Sequence, residues 1–189
     1  MVYGFDVRSA AAEQVESLGA TFVSVEVEPQ DAAAAGGYAR ELADDAEARL
    51  LEGLFGEVTA SDAVITTAAI PGKPAPRLVT AAMVEAMRPG SVVVDGAAAT
   101  GGNCEVSRPG ETITVDGVSV SAPLDLPSRS ANHASQLFGR NSVNFIQLIT
   151  TESGALDSDT EDEIVQAATV ARDGEITHEA VLAATDGRS

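Results

Sequence analysis

Short apolar runs and segments with helical spacing alternate along the first two-thirds of the chain, and the alternation predicts strands and helices in turn. Residues 2–7, Val-Tyr-Gly-Phe-Asp-Val, predict a short buried strand ending in a carboxylate. A helix follows with Ser9 as its N-cap, runs through Leu18 and stops at Gly19. Residues 21–27 are rich in β-branched and aromatic side chains and predict a second strand, ended by Pro29. Residues 30–40 hold an alanine run and Gly36-Gly37-Tyr38, with little to bury, and read as a mobile loop.

A helix is expected over residues 44–54, then a strand over 63–68 with so few polar side chains that it should lie inside a parallel sheet. Three prolines in Ile70-Pro-Gly-Lys-Pro-Ala-Pro76 fix several backbone angles and predict a stiff loop. Residues 80–87 form a short helix capped by Thr80, Pro89-Gly90 a turn, and 91–95 an apolar strand with Asp95 at its carboxyl end. Gly101-Gly102-Asn103-Cys104 opens a loop, 112–115 and 118–121 are strands around an Asp116-Gly117 hairpin turn, and 135–150 is a helix. Strands alternating with helices argue for an α/β fold with a doubly wound parallel sheet over residues 1–134. Residues 135–189 form a helix and a small appendage, in which 164–170 look strand-like, with a turn at Asp173-Gly174. A solvated acidic tail is the alternative for the last segment.

Charge narrows the partners. With 29 acidic against 11 basic residues the net charge is -18, which repels nucleic acid and anionic lipid and excludes both as ligands. Interspersed carboxylates suit a folded surface adapted to concentrated salt, and Lys73 is the single lysine. No run approaches the roughly 18 to 20 apolar residues of a membrane span, and no signal-like block opens the chain, so a cytoplasmic protein is expected. Cys104, the one cysteine, allows neither an internal disulfide nor a thiolate metal site; with His133 and His178 far apart, no metal centre or histidine base is expected.

Ligands of open α/β sheets bind beyond the carboxyl ends of the strands, which makes Asp6, Thr67, Ala68, Asp95 and Gly96 candidates. An acid ending the second strand of a dinucleotide fold accepts from both ribose hydroxyls and disfavours a 2′-phosphate; Asp6 suits that role, while Arg8 could accommodate the phosphate. A strand-end Asp capping the next helix is the structural alternative. A Gly-x-Gly-x-x-Gly turn should fall about 20 residues before that acid. Only five residues precede Asp6, so the first strand and the pyrophosphate turn are expected on a different polypeptide.

The run from Phe5 through Asp6, Val7 and Arg8 to Gly19 resembles the segment after the first βα unit in the NAD(H)-binding component, the alpha subunit, of proton-translocating NAD(P) transhydrogenases, in the alanine dehydrogenase/transhydrogenase family. Gly36-Gly37-Tyr38-Ala39 is similar to its mobile loop, Thr66-Thr67 through Pro76 to its signature loop, and Gly101-Gly102-Asn103-Cys104 to the loop after its next strand. The likeness continues through Asp125-Leu-Pro-Ser-Arg129, Asn141-Ser-Val-Asn-Phe145, Glu161-Asp-Glu-Ile-Val165 and Arg172-Asp-Gly-Glu-Ile176, in order over nearly the whole chain.

The resemblance implies a Rossmann-like sheet without its first strand. It implies NAD(H) as cofactor: Asp6 on the adenosine ribose, Val7 lining the adenine pocket, Thr67, Ala68 and Ala69 approaching the nucleotide, and Tyr38 closing over it. Arg8, Asp95 and Gly96 complete the candidate binding set, and no side chain acts as a catalytic nucleophile. It further implies NADP-binding and membrane-spanning partner subunits, a homodimer, a position at the inner face of the cell membrane, and residues 135–189 returning to a companion lobe. Leu50 departs from the family, whose helix can offer a glutamine there. A fragment of an alanine-dehydrogenase-like enzyme and a non-catalytic Rossmann-like interaction module are the competing expectations.

Overall fold

The computed structural model describes residues 1–25, 44–70, 72–156 and 161–186. The chain divides into two compact units, Met1–Leu126 and Pro127–Ser189.

In the first unit, the opening apolar run yields β1 (Tyr3–Gly4), parallel to β2 (Thr21–Phe22). Between them, a 3-10 turn at Ser9–Ala11 leads into α1 (Ala12–Ser17). Ser9 does not cap a helix as expected; it is the first residue of the 3-10 turn, which has no side-chain cap. Gly19 ends the segment with φ +82°, a conformation that costs glycine little. Glu26 and Val27 of the second expected strand, and the expected loop over 30–40, lie outside the described residues.

α2 (Asp44–Ala60) continues six residues past the expected end at Leu54. Leu50, Leu54 and Val58, spaced by four, bury one stripe of it against Val79, Met83, Val84 and Met87 around α3 (Ala81–Ala86). Thr80 caps α3, its hydroxyl accepting from Met83 N at 3.2 Å. Valine-rich β4 (Val92–Asp95) lies between β3 (Ala63–Thr66) and β6 (Val118–Ser121), parallel to both, and β5 (Thr112–Val115) pairs antiparallel with β6, giving the order β3-β4-β6-β5. Asp116 and Gly117, at φ 47° and +84°, make the expected tight turn of that hairpin. Val93, Val118 and Val120 complete the core, and Phe5, Val23 and Val25 pack against it. β3 departs from the fully buried strand that its composition predicts: it hydrogen-bonds only to β4 among the described residues, and Ile65 is 73% exposed.

α4 (Leu126–Arg129) straddles the unit boundary. In the second unit, α5 (Ala131–Leu148) starts four residues before the expected 135 and carries Leu137, Phe138, Val143 and Ile146 exposed. The strand-like stretch 164–170 is instead largely helical: α6 (Glu163–Ala168) is capped by Asp162, whose carboxylate accepts from Ile164 N at 2.8 Å. That cap outweighs the β preference of Ile164 and Val165. β7 (Ala171–Arg172) and β8 (Glu175–Ile176) form a hairpin around Asp173-Gly174, and α7 (Glu179–Asp186) follows.

Candidate functional site

A cleft of about 1010 Å³ in the first unit runs beside β1 and β3 and collects residues far apart in the chain. Asp6, Val7 and Arg8 line it from just beyond β1, and Thr67, Ala68 and Ala69 from just beyond β3. These are six of the nine residues expected at a nucleotide site. Tyr38 lies outside the described residues. Asp95 and Gly96 are absent from the cleft lining.

The chain bends at Val7, and this local turn brings Arg8 back onto the Asp6 side chain. Arg8 grips the carboxylate bidentately, Nε donating to Oδ1 at 3.0 Å and Nη2 to Oδ2 at 2.9 Å, and Arg8 N donates to Oδ1 at 2.8 Å. The Arg8 side chain holds the Asp6 carboxyl below its usual range despite the opposing effect of burial, so Asp6 is an anion at neutral pH. An ionised carboxylate accepts only, which is what two vicinal hydroxyl donors require.

Asp95 is fully buried. Its Oδ1 accepts from Ala97 N and Asn103 N at 3.1 Å each and from the Thr66 hydroxyl at 3.3 Å. Oδ2 accepts from Cys104 N at 3.0 Å and the Ser107 hydroxyl at 2.7 Å. Burial pushes the Asp95 carboxyl up, but the donors from Cys104, Ser107, Asn103 and Ala97 together outweigh it and hold the carboxyl below its ordinary value. Asn103, also fully buried, uses its amide nitrogen to bind the carbonyls of Ala68 at 2.9 Å and Pro76 at 2.7 Å. Asp95 thus fixes the loop after β4, and Asn103 passes that order to both ends of the proline-stiffened loop beside the cleft. The sequence marked this glycine-asparagine loop without revealing the role of Asn103, because a structural amide and a ligand-binding one look alike in sequence.

Arg77 and Lys73 also line the cleft, Arg77 pairing with Glu105 at 3.3 Å. No cluster of histidine, cysteine or carboxylate side chains able to hold a metal occurs among the described residues. A partly exposed carboxylate at a strand end, small side chains at the facing strand end and basic groups in the same cleft fit a ribose, a close-lying ring and a diphosphate.

The family model "Alanine dehydrogenase/PNT, C-terminal domain" matches residues 1–179. The chain belongs to this family. Within it, the chain is 44% identical over 177 residues to "NAD(P) transhydrogenase subunit alpha" of Haemophilus influenzae, covering 93% of this chain and 34% of that protein. It is 43% identical over 180 residues to the protein of the same name from Cereibacter sphaeroides, covering 94% and 34%. The crystal structure of a transhydrogenase from Sinorhizobium meliloti superposes with a TM-score of 0.63 at 35% identity, covering 95% of this chain and 42% of that one. The chain spans between a third and a half of the length of these relatives.

Proposed function

We propose that this chain is the NAD(H)-binding part of a proton-translocating NAD(P) transhydrogenase, positioning NADH for hydride transfer to NADP held on another component. The observation that carries the proposal is the convergence of Asp6–Arg8 and Thr67–Ala69 on one cleft at the carboxyl ends of β1 and β3, each of which pairs in a parallel ladder. Asp6 holds the adenosine ribose once Arg8 yields its carboxylate, Val7 borders the adenine, and the small side chains of Ala68 and Ala69 let the nucleotide approach the backbone. Bound NADH supplies the hydride, so the chain itself contributes orientation and exclusion of water and needs no nucleophile.

In this proposal, donors for the diphosphate come from a glycine-rich turn that residues 1–189 do not contain. The NADP-binding and membrane-spanning subunits are further partners, the assembly is dimeric, and it lies at the inner face of the cell membrane. No described helix is long and apolar enough to cross a membrane. The acidic surface is the working state of a protein in concentrated salt.

Titration of NADH, in concentrated KCl, into the chain alone and into its mixture with a polypeptide carrying the strand and glycine turn tests the reading. Binding is expected only in the mixture. Equal binding with and without the partner removes the requirement for complementation, and a null result in the mixture removes nucleotide binding altogether. Pyruvate- and ammonium-dependent oxidation of NADH by the mixture would assign the alanine dehydrogenase reaction instead.

A further inference from the structure

We infer that Asn103 is a positioning residue for the cleft: by holding the Ala68 carbonyl away from it, Asn103 turns the Ala69 N–H into the cleft as a fixed donor for a ligand oxygen. That the oxygen belongs to a nucleotide rests on the function proposed above; the direction of the peptide does not.

The backbone sets the direction. No cis peptide bond occurs among the described residues, so the Ala68 carbonyl and the Ala69 N–H, which share one peptide unit, point to opposite sides. The Thr66 carbonyl faces β4 and its following loop, accepting from Gly96 N at 2.7 Å. Two residues on, the Ala68 carbonyl turns the same way and meets Asn103 Nδ2 at 2.9 Å. The Ala69 N–H is thereby left facing away from β4. Ala68 and Ala69 both line the cleft, Ala69 is exposed, and nothing among the described residues accepts from Ala69 N.

The two ends of the Asn103 amide are treated unequally. Nδ2 donates to Ala68 O at 2.9 Å and to Pro76 O at 2.7 Å, whereas the buried Oδ1 has no partner among the described residues. Turned over, the amide would set Oδ1 against two carbonyls that repel it, so the donors face the loop. A buried acceptor without a donor is destabilising, so what Asn103 contributes is the pair of donors and not a fully satisfied core. Its backbone holds the side chain still: Asn103 N donates to Asp95 Oδ1 at 3.1 Å, and its carbonyl accepts from Leu78 N at 2.8 Å and Val79 N at 3.0 Å.

The choice between donor and acceptor follows from that one bond. A rotation of the peptide between Ala68 and Ala69 would break the contact with Nδ2 and show the cleft a carbonyl in place of an N–H. Asn103 therefore decides the polarity of this edge without touching a ligand itself, being absent from the cleft lining. A fixed N–H takes a carbonyl, hydroxyl or phosphate oxygen and offers nothing to an ammonium group. The flanking methyl side chains of Ala68 and Ala69 leave the N–H within reach of such an oxygen.

The first readings need no nucleotide and use NMR of the full chain in concentrated KCl. The side-chain amide protons of Asn103 are expected to exchange at least about tenfold more slowly than those of exposed Asn132, Asn141 and Asn144, and the Ala69 N–H to exchange as an unprotected amide. Asn103→Ser, too short to reach both carbonyls, should move the Ala68 carbonyl carbon resonance. Asn103→Asp keeps the shape and replaces both donors by an oxygen; it is the second variant should serine disturb the loop. Unprotected Asn103 side-chain protons, a protected Ala69 N–H, or an unmoved Ala68 carbonyl in both variants overturns the inference.

NADH is then titrated into the mixture described above. Its binding should slow exchange at the Ala69 N–H, and Asn103→Ser should weaken it about tenfold. Ala69→Pro removes a donor that the fold does not use and should weaken it as much. The double variant should bind no worse than Ala69→Pro alone, because Asn103 acts through that one N–H; losses that add would make Asn103 a purely structural residue and overturn the inference. NADH binding that leaves exchange at Ala69 unchanged overturns it as well. Absence of NADH binding by the wild-type mixture would overturn the proposed function, while the nucleotide-free readings would still decide the direction of the peptide.

Discussion

Arg8 occupies both carboxylate oxygens of Asp6, the acid proposed to receive a ribose diol, at 3.0 and 2.9 Å. The Arg8 side chain is 52% exposed and that of Asp6 30%, so solvent screens the pair and its contribution to stability is roughly 0.2–1 kcal/mol. Arg8 is therefore a readily displaced occupant.

Arg8→Gln should leave the unfolding midpoint nearly unchanged and tighten NADH binding by the complemented assembly up to about fivefold, the range set by the pair's own strength. Asp6→Asn should weaken it by about tenfold or more, because hydrogen bonds to a charged acceptor are lost. Calorimetric titration of both variants checks this, and wild-type affinity in Asp6→Asn would remove Asp6 from the site.

Asp95→Ala strips the acceptor from three buried backbone N–H groups and the Ser107 hydroxyl. The expected loss is about 3–5 kcal/mol, measured by urea unfolding in concentrated KCl. A loss below about 1 kcal/mol would mean that water reaches these donors.

Acid should unfold the protein in a defined direction. Asp6 and Asp95 are both held below the ordinary value of 3.8 in the folded state, so the folded form keeps them ionised where the unfolded chain binds protons. Their stabilisation is complete above that value and is lost as pH falls through the depressed folded-state values. A pH series of unfolding midpoints should steepen below pH about 4 and flatten in Asp95→Ala. Identical slopes in the two proteins would contradict the hydrogen-bond account of Asp95.

Gly102 and Gly19 separate backbone strain from collision. Both have positive φ, +81° and +82°, but a Cβ on Gly102 would lie 2.7 Å from Asp95 Oδ2, while Gly19 has nothing within 4 Å. Gly19→Ala should cost about 1–2 kcal/mol for the left-handed conformation alone. Gly102→Ala should cost distinctly more, and thermal unfolding of the pair would show equal shifts if the carboxylate could move aside.

Salt should stabilise the chain. Raising KCl from about 0.15 to about 1 M shortens the screening length from about 8 to about 3 Å and relieves repulsion among 29 carboxylates. The melting temperature should climb across that range, and a flat response would detach the acidic composition from salt.

Much of the fold was legible because local signals agreed with tertiary packing. The valines of β4, the Thr80 cap and the Asp116-Gly117 turn each specify their geometry over a few residues. α6 was not legible, since Ile164 and Val165 favour a strand in isolation and the cap supplied by Asp162 decides otherwise. At the site, the pairing of Asp6 with Arg8 was not legible, because it depends on a bend at Val7 that the Asp6 carboxylate closes by accepting from Arg8 N. The role of Asp95 was hidden, because its donors lie up to 29 residues away, one on β3 and the others in a loop whose shape the carboxylate itself creates.

Cys104 lies directly beside that carboxylate, 3% exposed, and burial pushes its thiol up from its ordinary value. As the chain's one sulfhydryl, it reacts with a dissolved alkylating agent only in the moments when the Asp95 loop lifts. The protein thus carries its own stopwatch: labelling speed at one atom records how often the scaffold beneath the cleft breathes, with no probe introduced.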